Sequence, residues 1–108
     1  MIKIYDAVMK TFYPDEETMC SDRCVVKLQQ ENGEEKIVVE YECGDEFIDY
    51  SGKGVNGHFE LQSHCGRAVL HKHPDSQFLH GYWVEEGEDG MWRIELGDLR
   101  DAIDGSLK

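Results

Sequence analysis

The sequence predicts an all-β fold: an antiparallel meander of seven or eight strands forming a small barrel or a two-sheet sandwich, with a short C-terminal helix. Three observations predict it. Turn signals punctuate nearly the whole chain at intervals of about 8 to 12 residues, the spacing of a meander. Asn32-Gly33 is the preferred pair of a two-residue hairpin, in which both central residues take positive φ. Apolar residues recur at alternate positions between the turns, so one face of each strand can be buried. With 108 residues, no repeat and only two prolines, the chain reads as one small β domain over residues 1–108, since a domain runs roughly 100 to 200 residues.

In chain order, Ile2 to Phe12 reads as a strand. Pro14-Asp15-Glu16-Glu17 has the features of a helix first turn, with proline at the first position and acids at the positive end of the dipole. The Glu31–Glu34 hairpin puts Leu28 opposite Ile37, Val26 opposite Val39 and Cys24 opposite Tyr41, all on the core face. Gly52-Lys53-Gly54-Val55-Asn56-Gly57 matches G-x-G-x-x-G, but a strand pattern rather than a helix follows it, so it reads as a glycine-rich loop and not a phosphate cradle.

Residues 58–64, 67–73, 78–86 and 91–97 continue as strands, joined by loops at Cys65-Gly66, Pro74–Gln77 and Gly87–Gly90. This alignment predicts a core containing Leu28, Ile37, Val39, Leu61, Leu70, Trp83, Trp92 and Ile94. Asp98 is placed to cap the short helix, with Leu99, Ala102 and Ile103 on one side and Gly105 ending it.

Gly81-Tyr82-Trp83 and Gly90-Met91-Trp92 put a glycine ahead of aromatic residues on paired strands. With the meander, this resembles the calycin-like small β-barrels, and the resemblance implies a barrel that holds a small ligand inside. The lipocalins carry their Gly-x-Trp near the N-terminal strand, whereas both copies here lie late in the chain, so the resemblance extends to architecture and to no functional residue.

Composition bounds the partners. The chain is 40% hydrophobic, enough for a core, and its 11 Lys and Arg stand against 23 Asp and Glu, a formal net charge of −12. Such a charge repels phosphate backbones and anionic headgroups, so neither direct nucleic acid binding nor membrane binding is expected. No signal-length apolar region opens the sequence and no 18 apolar residues run together, which makes a cytoplasmic protein the expectation. Cys20, Cys24, Cys43 and Cys65 are too few for a disulfide scaffold and read as buried or idle thiols. Cys20 and Cys24 would share a helix face if their segment were helical.

The face opposite the core collects the histidines. In the register above, His58 lies opposite His73, Glu60 opposite His71, and His71 opposite His80. His71, His73 and His80, with Glu60 beside them, are the candidate ligands for Zn²⁺ or another divalent metal, the competing reading being solvated surface histidines. Phe78, Tyr82, Val69 and Val84 share the face, so His58, Glu60, His71, His73, Phe78, His80 and Tyr82 form the candidate binding patch, which a second copy of the chain would also cover in a homodimer. Acids gather at hairpin tips, Glu31, Glu34 and Glu35 at one and Glu85, Glu86, Glu88 and Asp89 at another.

The expected function is a binding module for a small molecule or a protein partner. The alternatives are an acidic inhibitor that imitates a nucleic acid backbone toward a basic partner, and a His-cluster enzyme using His71, His80 and Glu60 for proton transfer. No catalytic sequence motif is present, and no residue is assigned a catalytic role.

Overall fold

The computed structural model describes residues 1–14, 18–43, 45–105 and 107. Eight strands follow one another: β1 (Ile2–Phe12), β2 (Thr18–Glu31), β3 (Glu34–Cys43), β4 (Glu46–Val55), β5 (His58–Gln62), β6 (Gly66–His71), β7 (Phe78–Glu85) and β8 (Glu88–Ile103). Each pairs antiparallel with the next, and β8 returns to β1 to close a barrel, so the sandwich alternative does not form. Closure gives each strand a neighbour on both sides, although residues 46–50 of β4 run beyond their ladder with the short β5.

Strand alternation sends one set of side chains inward. Val26, Ile37, Val39, Phe59, Leu70, Leu79 and Ile94 are fully buried, with Leu61, Trp83 and Trp92 nearly so, and Leu28 packs half-buried against them. Tyr41 and Tyr50 both meet the Trp92 ring edge to face, at centroid distances of 5.8 and 4.9 Å. An eight-stranded barrel has an interior just wide enough to be filled by side chains or to hold one small ligand. Here side chains fill it.

The two Gly-aromatic-Trp segments lie opposite each other. Gly81 pairs with Trp92, and Trp83 pairs with Gly90. A Cβ on Gly90 would lie 2.6 Å from Cζ2 of Trp83, so that indole occupies space that a side chain across the ladder would otherwise take, whereas a Cβ on Gly81 would strike the β6 backbone at Val69.

The Asn32-Gly33 hairpin forms in the expected register, with φ of 52° and 79° at its two central residues. Two other loops differ from expectation. Between β5 and β6, four residues rather than two separate the last paired residues, with Ser63 N–H bonded to the Gly66 carbonyl at 2.9 Å, so Gln62 pairs with Arg67 and His58 with His71. The β7–β8 connection holds two, because Gly87 takes φ of 77° and lets Glu85 pair with Glu88. Both corrections move the pairing by an even number of residues, which keeps every side chain on its expected face.

The glycine-rich segment is strand rather than loop through Val55, and the chain reverses only at Asn56-Gly57, with φ of 56° and 80°. The expected C-terminal helix does not form either. β8 runs on to Ile103 because β1 offers a ladder there, pairing Tyr5 with Leu99 and, past a register shift, Ile2 with Ile103. A helix this short is marginal in water without a buried face, and Leu99 and Ile103 stay exposed. Pro14 lies in a turn, and Asp15, Glu16 and Glu17, the rest of the expected helix turn, lie outside the described residues.

Beyond β8 the chain folds back. The buried Gln29 side chain donates to the Gly105 carbonyl at 3.0 Å and accepts from Leu107 N–H at 2.7 Å, while Lys36 donates to the Leu107 carbonyl at 3.2 Å. Among the described residues no helix is long and apolar enough to cross a membrane.

Candidate functional site

Closure of the barrel lays outward-facing residues in rungs that run across strands. One rung reads Lys10, Arg93, His80, His71 and His58 over β1, β8, β7, β6 and β5, each the direct ladder partner of the next. All five side chains are exposed. The rung toward the β7–β8 turn reads Phe12, Met91, Tyr82 and Val69, of which the first three are exposed large apolar residues. The rung on the other side reads Val8, Glu95 and Phe78. A cation-bearing row therefore lies between two partly apolar rows.

Within the cationic row the contacts are specific. His58 and His71 face each other with ring centroids 4.6 Å apart and Nδ1 atoms 3.2 Å apart. The His80 ring instead stacks on Phe78, at 5.9 Å and 25°, and the Arg93 guanidinium lies 4.4 Å from the centre of the same Phe78 ring. His73 lies past the end of β6, where its Nδ1 accepts from Asp75 N–H at 3.4 Å. His71, His73 and His80 are thus not drawn to one point. Among the described residues no three His, Cys, Asp or Glu side chains are grouped to hold a metal ion. Glu60 pairs with Val69 rather than His71.

Above the apolar rung opens a cleft of about 400 Å³ lined mainly by Phe12, Tyr13, Pro14, Tyr82, Trp83, Val84 and Met91, with Asp89 the one charged residue on its lining. Tyr13 meets Trp83 edge to face at 5.5 Å. Trp83 is only 3% exposed, and its indole Nε1 has no hydrogen-bond partner among the described residues.

The barrel mouth at this end holds a smaller recess of about 50 Å³ beside Tyr41, Cys43 and Glu88. Near it, Tyr50 donates to Glu85 Oε2 at 2.6 Å, and the Cys65 sulfur lies 3.0 Å from Ser63 Oγ and 3.7 Å from the Tyr50 hydroxyl. Burial pushes the Tyr50 hydroxyl well above its ordinary range, and its hydrogen bond to Glu85 adds to this. Cys65 therefore sits in a hydrogen-bonded corner, while His64 beside it in sequence stays exposed.

The remaining thiols are scattered. Cys24 points into the core, where burial pushes its thiol up to about 12, and Cys43 is partly buried at the mouth. The Cys20–Cys24 segment is strand, not helix, and the Cys20 side chain lies outside the described residues. The acidic tips lie at opposite ends of the barrel, because β2 and β7 run in opposite directions.

The structure thus places His58, Glu60, His71, His80, Phe78 and Tyr82 on one outer wall, as expected, and leaves His73 in a loop. Lys10, Arg93, Phe12 and Met91 belong to the same wall and were not expected. Lys10 and Phe12 join it through the β1–β8 seam, which links distant parts of the sequence and has no local turn signal, whereas Arg93 and Met91 come opposite His80 and Tyr82 through the two-residue β7–β8 turn. No family model, curated protein or solved structure matches this chain.

Proposed function

We propose that this chain is a binding module whose ligand is a small organic anion with an apolar or aromatic body, held on the outer wall of β1, β8, β7 and β6. The observation that carries this reading is the apolar cleft of Phe12, Tyr82 and Met91 directly beside the Lys10–Arg93–His80 row. Rungs two residues apart are roughly 7 Å from each other, about the reach from an aromatic ring to an acidic substituent. On a chain of net charge −12 this row is a local reversal of sign, which favours an acidic group there over the rest of the surface.

Closure of eight antiparallel strands supports a calycin-like likeness. The filled interior moves the ligand from inside the barrel to its wall. The separation of the two acidic tips argues against one continuous carboxylate row, so the inhibitor reading has less support. Cytoplasmic placement goes with this reading, since free thiols at Cys24, Cys43 and Cys65 suit a reducing compartment.

The test is fluorescence titration with anilinonaphthalene sulfonate beside its uncharged relative N-phenylnaphthylamine. The sulfonate should bind the tighter of the two. Arg93→Gln should weaken it by about fivefold, the scale of one exposed ion pair, and Tyr82→Ser should weaken both dyes. Equal binding of the two dyes, unaffected by Arg93→Gln, would remove the basis of the proposal.

A further inference from the structure

The geometry points to a two-histidine site for a first-row divalent cation, formed by His58 and His71 on the outer wall. It is distinct from the His71, His73 and His80 set and independent of the organic ligand proposed above.

The backbone explains why these two rings meet. Lys72 N–H donates to the Gly57 carbonyl at 2.7 Å, which makes Gly57 and Lys72 a hydrogen-bonded pair of the β5–β6 ladder. His58 and His71, the next pair along, therefore occupy a non-hydrogen-bonded position, where facing side chains come closest. Asn56-Gly57 turns the chain immediately before His58, so the pair sits on a tight hairpin corner rather than on a long loop.

The separation suits a metal. Two nitrogens 3.2 Å apart, each bonded at about 2.05 Å, subtend an angle of about 100° at one ion, between octahedral and tetrahedral values. If both imidazoles are neutral and carry their protons on Nε2, two Nδ1 lone pairs face each other. A shared proton or a cation between them relieves that repulsion. The His80 ring is committed to the Phe78 stack, and Lys72 reaches instead toward the carbonyls of His73 and Pro74 at 3.4 and 3.5 Å. No third protein ligand completes the group among the described residues, so water or a donor from a bound molecule fills the remaining positions. Imidazole ligands of this kind prefer Cu²⁺ to Ni²⁺, and Ni²⁺ to Co²⁺.

The experiment is calorimetric titration of chelator-stripped protein with Cu²⁺, Ni²⁺ and Co²⁺ in turn. One ion should bind per chain, in that order of affinity. His58→Ala and His71→Ala should each lose the binding, with His58→Gln and His71→Gln as second variants should either alanine form fail to fold. His73→Ala and His80→Ala should retain it. The electron spin resonance spectrum of the Cu²⁺ form should show two coupled nitrogens, and this signal should be absent from either single variant. Binding that survives His58→Ala, binding lost in His80→Ala, or no saturation at one equivalent would each overturn the assignment.

Discussion

Trp83 combines nearly complete burial with an indole N–H that finds no acceptor among the described residues, and its two roles should separate on substitution. Trp83→Ala empties a large core site, which costs about 3 to 5 kcal/mol. Trp83→Phe loses packing too, but it also removes a buried unsatisfied donor, whose penalty is about 1 to 3 kcal/mol. Denaturant midpoints should therefore place Trp83→Phe within about 1 kcal/mol of the parent. Cys24 gives a second residue-scale expectation. Its thiol is raised from its ordinary 9.0 to about 12 by burial, with the Glu40 charge adding. The fold thus holds the neutral thiol, while an unfolded chain ionises it near 9.0. Stability is whole below that pH and falls as pH rises from 9 toward 12. Tyr41 and Tyr50 are raised in the same direction from 10.0. Thermal melts across alkaline pH should show the decline in the parent beginning near 9, and in Cys24→Ala only above about 10, once the tyrosines alone remain.

At the scale of elements, the sequence is legible where a short-range signal fixes the geometry. Asn32-Gly33 specifies its hairpin to the residue, and the alternation in the strands read after it puts Ile37, Val39, Phe59, Leu61, Leu70, Trp83, Trp92 and Ile94 on the core face, whereas Ile48 and Tyr50 of β4 carry no strand reading in the sequence. Asn56-Gly57 carries the same signal, but the glycines before it at 52 and 54 drew the whole segment into a loop reading. Their actual role is close strand approach, since a Cβ on either would collide with the β5 backbone. The two Asn-Gly turns differ in one testable respect. Gly33 faces open space, whereas a Cβ at Gly57 would strike the Lys72 carbonyl. Gly33→Ala should cost only the strain of a positive φ, about 1 to 2 kcal/mol. Gly57→Ala should cost clearly more by chemical denaturation, and should also disturb the facing His58 and His71 rings in imidazole NMR. The expected C-terminal helix failed for the converse reason: the capping and apolar spacing after Asp98 are real local features, but a strand partner 100 residues away in sequence wins.

Across the whole molecule, charge and closure set the behaviour. The four exposed or half-exposed ion pairs among the described residues, such as Arg23–Glu42 at 3.3 Å, offset little of a net charge of −12. At about 10 mM salt the screening length is about 30 Å, so the carboxylates repel one another across the molecule. The melting temperature should rise as NaCl is raised to about 0.5 M, whereas dye binding to the cationic row should weaken over the same range. A melting temperature that fell with salt would mean that attractive pairs, not repulsion, dominate the surface. The candidate wall was half legible from the sequence. Its histidines share neighbouring strands and obey local alternation, whereas Lys10 and Phe12 join it only through contacts between opposite ends of the sequence.

That seam makes the molecule a ring of strands in which no strand is first. Ile2 pairs with Ile103, and Gln29 gathers Gly105 and Leu107 beside the same end of the barrel. The polypeptide order could thus be cut at any turn, with a short bridge from Ile103 to Ile2, without altering which strands are neighbours. The outer wall belongs to that cyclic order, not to the order in which its residues are written along the sequence.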